Sequence, residues 1–505
     1  MSPGKKSADQ LKAVLGAVSG IGDVNTTGKE ELPTIIQCPL NYSMSDEKGE
    51  PLSGGEANGK IDAESLTVVP KLGEPLLVSL REISVLNAAN YRLNITLSSL
   101  EQLSFFNLGH RYEDFVRELV HARNEVLLTD MLMYEKVLKK GVKATYSFFE
   151  GEQTAGNGPC EVRVYETGLV LLPETADPIR LPFSYVSGVA DQDYRLTLAT
   201  EQGRKLILSM MGREFDPLKK SIGDAMNALS LKAQATFKEL VPLADPSMVR
   251  KASRYIRDGR AAMKKDLDAV SPQIWPDMEK KLAEAGVSEE YQFLKSVGQA
   301  DRMCIGVKKG LPDDPNAEYV WYLVPAYDEG SKPGNALIME AVSVSQDTNE
   351  SVEAEADLSP PEAEAEAEAA GHDSSAEAPA SADAQKAIGK ATYVFRIVSR
   401  NAYGSMCKAD LDRATDEAIH TLNDCMIAIN FRREPIYIAD EKLREPANLQ
   451  YLYSVQRLPE LRYLRDRYIG RIPHSGKDRW KKDLADILYF NAREQDDAAK
   501  WTKGR

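Results

Sequence analysis

At 505 residues the chain is long enough for about three domains of roughly 150 residues each, and its 43% hydrophobic share is that of a globular protein with real cores. No apolar run approaches the roughly 18–20 residues that cross a bilayer. The five cysteines and five histidines show no C-x-x-C, H-E-x-x-H or similar ligand spacing, so no disulfide framework, metal site or cofactor is expected, and the odd cysteine count suits a reducing cytoplasm. The net charge of −14 is concentrated in one stretch, because Pro333 to Gln385 carries thirteen acids and no Lys or Arg.

In chain order, residues 1–32 read as a flexible leader. Its apolar stretch "LKAVLGAVSGIG" is too short and weak for a signal peptide. Then the chain repeats itself. Shifted by 103 residues, "NYRLNITL" falls on "DYRLTLAT", with Tyr91, Arg92 and Leu93 on Tyr194, Arg195 and Leu196. Leu66 meets Leu169, Pro70 meets Pro173, Ser84 meets Ser187, Gly109 meets Gly212 and Asn124 meets Asn227, with no gap between 66 and 124. A period of this length is a duplicated domain and not a solenoid unit. The copies are placed at 33–140 and 141–240.

The second copy shows the unit most clearly. "EVRVYE", "LVLLP", "PIRLPF", "YRLTLAT" and "KLILSM" read as strands, and Glu201-Gln202-Gly203 reads as the hairpin turn between the last two. After Gly212 the period lengthens. Asp216 and Pro217 are expected to open a helix whose buried stripe is Leu218, Ile222, Ala225, Met226 and Leu229. Phe115, Leu119, Ala122 and Val126 make the same stripe in the first copy. Several antiparallel strands closed by one C-terminal helix resemble the pleckstrin-homology-like (PH-like) superfold. Tandem PH-like domains beside acidic segments are similar in layout to histone chaperones of the FACT type. Two departures stand out: no tryptophan falls in either helix, and the first hairpins, "SDEKGEPLSGGEANGKID" and "GEQTAGNGP", lack the basic cluster that grips inositol phosphates.

Residues 241–302 read as a helical linker containing a basic amphipathic helix over 250–265, with Arg250, Arg254, Arg257 and Lys264 along one face. A C-terminal α+β domain is placed at 303–493. Strands are expected at "YVWYLVPAY", "NALIMEAVSV" and "ATYVFRIV", and mostly helix is expected beyond 408, with Tyr463, Leu464 and Tyr468 as helix-spaced core. Between the second and third strands lies the acidic stretch, read as a disordered insert over 345–386 because it is rich in Glu, Ala, Ser and Pro and poor in apolar bulk. Residues 494–505 form a tail.

No motif in the chain demands a reaction. "GGEANGKI" at 54–61 resembles a phosphate-binding loop, but Ile61 stands where Ser or Thr should hold magnesium, so it reads as a hairpin loop. No G-x-S-x-G occurs. Arg432, Arg433, Arg471 and His474 have no spacing that chemistry requires, and arginine pairs are commoner as surface charge. The sequence therefore leads to an α+β protein without catalytic activity, a scaffold or adaptor that binds a protein partner carrying basic charge. The candidate partner-binding residues are Arg204, Lys205, Arg213, Lys219 and Lys220 on the second copy, Arg250, Arg254, Arg257 and Lys264 of the 250–265 helix, and Glu362, Glu364, Glu366 and Glu368 of the acidic stretch. The alternative is a peripheral lipid-binding protein using the repeated domains and the basic helix. Direct nucleic-acid binding is disfavoured because the C-terminal region is not strongly basic.

Overall fold

The computed structural model describes residues 32–493 apart from 175, 258, 285–286, 312–313, 328–333, 344–390 and 475. The expected leader, the acidic insert with Glu362, Glu364, Glu366 and Glu368, and the tail lie outside the described residues. The chain forms two compact units, one of residues up to 83 with 88–123, the other of 84–87 with everything from 124 onward. The fold is α+β and all its sheets are antiparallel.

The first sheet runs β1 (Ile36–Ser45), β2 (Pro51–Ile61), β3 (Ser65–Pro70), β4 (Leu76–Ser79), β5 (Ile83–Ala89), β6 (Arg92–Leu97) and β7 (Gln102–Phe106), and helix α1 (Tyr112–Asp130) follows. The second runs β8 (Val137–Glu150), β9 (Gln153–Tyr165), β10 (Gly168–Pro173), β11 (Ile179–Pro182), β12 (Val186–Gln192), β13 (Arg195–Thr200) and β14 (Arg204–Ser209), followed by α2 (Phe215–Leu240). Their spatial orders are β4-β3-β2-β1-β7-β6-β5 and β11-β10-β9-β8-β14-β13-β12, the same arrangement twice. The turns repeat as well. Asn90 and Tyr91 take φ of +52° and +57°, and Asp193 and Tyr194 take +51° and +56°. Both pairs make the hairpin turn whose two central residues are left-handed.

Alternation explains the core of the second copy. Tyr146 and Phe148 on β8, Val162 and Val164 on β9, and Leu206 and Leu208 on β14 point inward onto Leu218, Ile222, Ala225 and Leu229 of α2, with Met226 packed at the edge. The expected stripe is thus the buried one, but its start differs. A 3₁₀ turn at Gly212–Glu214 leads into α2, and Asp216 lies inside the first turn, where its charge suits the helix N-terminus without capping it. Gly109 and Gly212, at φ +58° and +55°, supply the left-handed step before each turn. The phosphate-loop look-alike is part of strand β2, not a loop: Gly54 pairs with Ser43 and Lys60 with Gln37.

The third sheet has six strands in sequential order: β15 (Ala262–Met263), β16 (Cys304–Leu311), β17 (Asp314–Ala326), β18 (Ala336–Ser343), β19 (Ala391–Arg396) and β20 (Tyr468–Pro473). It is buried on both sides. One face, with Tyr322, Val324, Ile338, Val394 and Ile472, packs against Trp275, Leu282, Leu294, Trp480 and Leu484. These five lie on α5 (Ile274–Glu284), α6 (Ser288–Val297) and, further along the chain, the helix Lys477–Arg493. The other face, with Trp321, Leu323, Met339, Tyr393 and Phe395, packs against Leu411, Ile419, Leu422, Leu461 and Leu464 and against Val170 and Leu172 of β10.

Three expectations change here. Residues 241–302 do not form a separate linker: β15 joins the sheet, and Val249, Ile256, Leu267 and Trp275 enter its core. The helix over 250–265 does not form either, since α3 (Pro246–Ala252) ends early and the chain crosses the sheet as a strap before α4 (Lys264–Val270). Gly259 fixes the strap. It takes φ +86°, accepts a 2.5 Å hydrogen bond from Trp321 Nε1, and leaves no room for a Cβ, which would fall 2.7 Å from the Phe431 ring. Finally, Tyr468 opens the edge strand β20. Ile469, Ile472 and Pro473 suit an edge, and among the described residues β20 pairs with β19 alone.

Candidate functional site

The Glu201–Gly203 turn joins β13 to β14, with Gly203 at φ +77°. Several of the expected cations gather around it. Arg260 Nη1 pairs with Glu201 Oε2 at 2.8 Å, and its guanidinium lies 5.5 Å over the Tyr185 ring. Arg257 is half-buried. Burial holds its pKa below the usual arginine value, Arg260 and Arg254 push the same way, and Glu201 opposes them. Gln202 Nε2 donates to Asp424 Oδ2 at 2.6 Å. Burial raises the Asp424 pKa, against the pull of Tyr185, Arg260, Arg204 and His420. So Arg204, Arg254 and Arg257 meet at one turn with Arg260, which the sequence did not single out, and the acids Glu201 and Asp424 partly balance them.

The other candidates do not join this group. Lys205 lies 4.8 Å over the Phe149 ring. Arg213 and Lys220 are exposed at the start of α2, where Lys219 pairs with Asp191. Arg250 is exposed on α3, and Lys264 pairs with Asp268 at 2.5 Å along α4. The Lys219 pair is open to water and the Lys264 pair only partly buried, so solvent screens both and these lysines are ordinary surface charge.

The sheets of the two copies differ in what covers the outer face. In the second copy Val170 and Leu172 are 0% and 2% exposed and belong to the core shared with the third sheet. Arg180 on β11 fastens that contact. Its Nη1 donates to the carbonyls of Ile427 and Ala428, at 2.8 and 2.7 Å, at the end of helix α7 (Lys408–Ala428). Its Nη2 donates to Glu135 at 2.7 Å and to Asn430 at 2.8 Å. Burial disfavours the Glu135 carboxylate, yet Arg180, Lys308 and Thr167 outweigh it and hold the pKa below the usual value. A shift of 103 residues carries Leu172 and Arg180 to Val69 and Leu77. In the first copy these are 45% and 68% exposed.

The residues at the far end of the chain separate onto the two faces of the third sheet. His474 Nε2 lies 3.0 Å from Glu340 Oε1, and its ring stacks on Trp480 at 5.0 Å. Thr392 donates to Glu340 and accepts from Trp480 Nε1 at 2.6 Å. Glu340 and Thr392 both approach the same ring nitrogen of His474, whereas a nucleophile triad needs one partner on each. The network instead serves a carboxylate that is 1% exposed. Arg433 and Arg471 lie on the opposite face, against Tyr393. Among the described residues no group of three or more His, Cys, Asp or Glu is arranged to hold a metal ion, and no helix is long and apolar enough to cross a membrane.

No family model matches the chain, and no curated protein matches it. Among solved structures, a chain of the "Structure of the Spt16D Pob3N heterodimer" matches over 33% of this chain and 85% of its own, with 11% identity and a TM-score of 0.14. A TM-score that low fixes no residue correspondence.

Proposed function

We propose that the protein is a non-enzymatic interaction scaffold built on two PH-like domains in tandem, and that its acidic stretch attracts partners carrying basic charge. One contrast supports the reading. The outer face of the second copy is a docking surface, filled by the chain's own third sheet through Val170, Leu172 and Arg180. The matching face of the first copy leaves Val69 and Leu77 in solvent. Exposed aliphatic side chains at a sheet edge suit a protein partner, which can add both apolar contact and edge hydrogen bonds. The cationic turn is a second surface, and its balanced charge favours selectivity over raw affinity. The acidic stretch contributes long-range, salt-sensitive attraction. The lipid-binding alternative used the repeated domains together with a basic helix over 250–265, and the chain does not form that helix.

The test is affinity capture from the native host with the intact chain, a 345–386 deletion and Leu77→Asp, with the bound material identified. A specific protein held by the intact chain, weakened by salt and lost on deletion, supports the reading. Lipid alone, or the same partners at the same salt in all three, refutes it.

A further inference from the structure

Arg433 and Arg471 are unusual among the arginines of this unit. Arg163, Arg180, Arg302, Arg457 and Arg465 each pair with a carboxylate. Arg433 and Arg471 form no ion pair and donate no hydrogen bond to any described residue; their contacts are with rings. The Arg433 guanidinium lies 5.6 Å from the Tyr393 ring centre, and that of Arg471 lies 6.0 Å from Tyr393 and 5.1 Å from Tyr437. The two rings are 6.2 Å apart. Both arginines act on the Tyr437 hydroxyl, whose pKa burial raises and Glu434 and Tyr393 raise further, while the two guanidiniums lower it. Both therefore flank the same pair of rings, Tyr393 and Tyr437.

The rings leave most of the guanidinium donors unmet. Each guanidinium carries five N–H donors in a fixed fork. Ring faces satisfy the charge in part, but not the donors. Arg471 Nε is buried with no acceptor. Both side chains are half-buried, so water reaches them incompletely. Two forks held against one pair of rings match a compact dianion that accepts several hydrogen bonds at once.

We propose that Arg433 and Arg471, held against Tyr393 and Tyr437, form a binding site for a phosphate group, either free or as a monoester on a partner. The full chain is titrated calorimetrically with inorganic phosphate and, separately, with O-phosphoserine. Saturable binding is expected, at least tenfold weaker in Arg433→Gln and in Arg471→Gln. It should be unchanged in Arg413→Gln, an exposed arginine that pairs with Asp410. Tighter binding of phosphate assigns the site to the free anion, and tighter binding of phosphoserine assigns it to a phosphorylated chain. A native chain that binds neither, or variants that bind like the native chain, overturn the proposal. Should a glutamine variant misfold, the native chain decides alone. Its thermal midpoint must rise with phosphate concentration and stay put in chloride of equal ionic strength, and a midpoint that moves equally in both overturns the site.

Discussion

Replacing Arg180 with Met tests how the second copy is fastened to the third sheet. Arg180 is 7% exposed at its side chain and Glu135 9%, so the substitution leaves a buried carboxylate without its main partner. It also strands the carbonyls of Ile427 and Ala428 at the end of α7, where a cation opposes the helix dipole favourably. Removing one side of a buried pair costs about 3–5 kcal/mol. Lys308 and the Thr167 hydroxyl still favour the Glu135 carboxylate, so the loss should lie near the lower end, about 3 kcal/mol. Urea unfolding followed by tryptophan fluorescence reads it directly, since Trp321 lies in the shared core. Arg180→Met combined with Glu135→Gln should cost less than the two single changes together, by about 1–3 kcal/mol. The Glu135 pKa is depressed in the folded chain from an ordinary 4.5. Its contribution is therefore complete above the unfolded value and lost as pH falls through the folded one, so the gap between native and Glu135→Gln chains should stay flat at neutral pH and close below about pH 4. A single variant within about 1 kcal/mol of native, or strict additivity in the double variant, would refute the clamp.

Gly259→Ala should lower the thermal midpoint clearly, because the new Cβ meets Phe431 at 2.7 Å in a left-handed backbone, whereas Gly223→Ala, inside helix α2 with nothing within 4 Å, should raise it slightly. Thiol titration of the native chain with a bulky aromatic disulfide should find one fast cysteine, Cys407. Cys38, Cys160, Cys304 and Cys425 are buried, and burial pushes the Cys160 thiol up to about 12. A second fast thiol would mean that one of these cores opens. Leu77→Asp should leave the unfolding free energy within about 0.5 kcal/mol of native, since the residue is exposed, while weakening partner capture; a large stability loss would mean that the face is covered.

The repeat could be read in the sequence because each copy preserves the same local signals in phase: left-handed turns at Asn90 and Asp193, glycine steps at Gly109 and Gly212, and a helix stripe at the same offset. What could not be read depends on contacts between distant residues. Nothing near Gly259 shows that Phe431 will sit against it. Arg180 looks like any strand arginine until Ile427 and Ala428 arrive from 247 and 248 residues away. Arg471 reaches the face of Tyr393 and Arg433 only because β20 is a strand, and its short run after a charged helix hides that period. His474, on the same strand end, goes to the other face for the same reason of alternation.

β18 and β19 are direct neighbours, with Leu337 opposite Phe395 and Met339 opposite Tyr393, yet 47 residues of sequence separate Ser343 from Ala391. The sheet at this seam is held by ladder hydrogen bonds and packing, not by the covalent connection. A chain cut anywhere within 344–390 breaks none of the strand pairings of the third sheet among the described residues. Two separately produced pieces, 1–343 and 391–505, would each present a bare strand edge whose natural complement is the other piece. The protein is in this sense already a two-part assembly, with the seam lying where its acidic charge is attached.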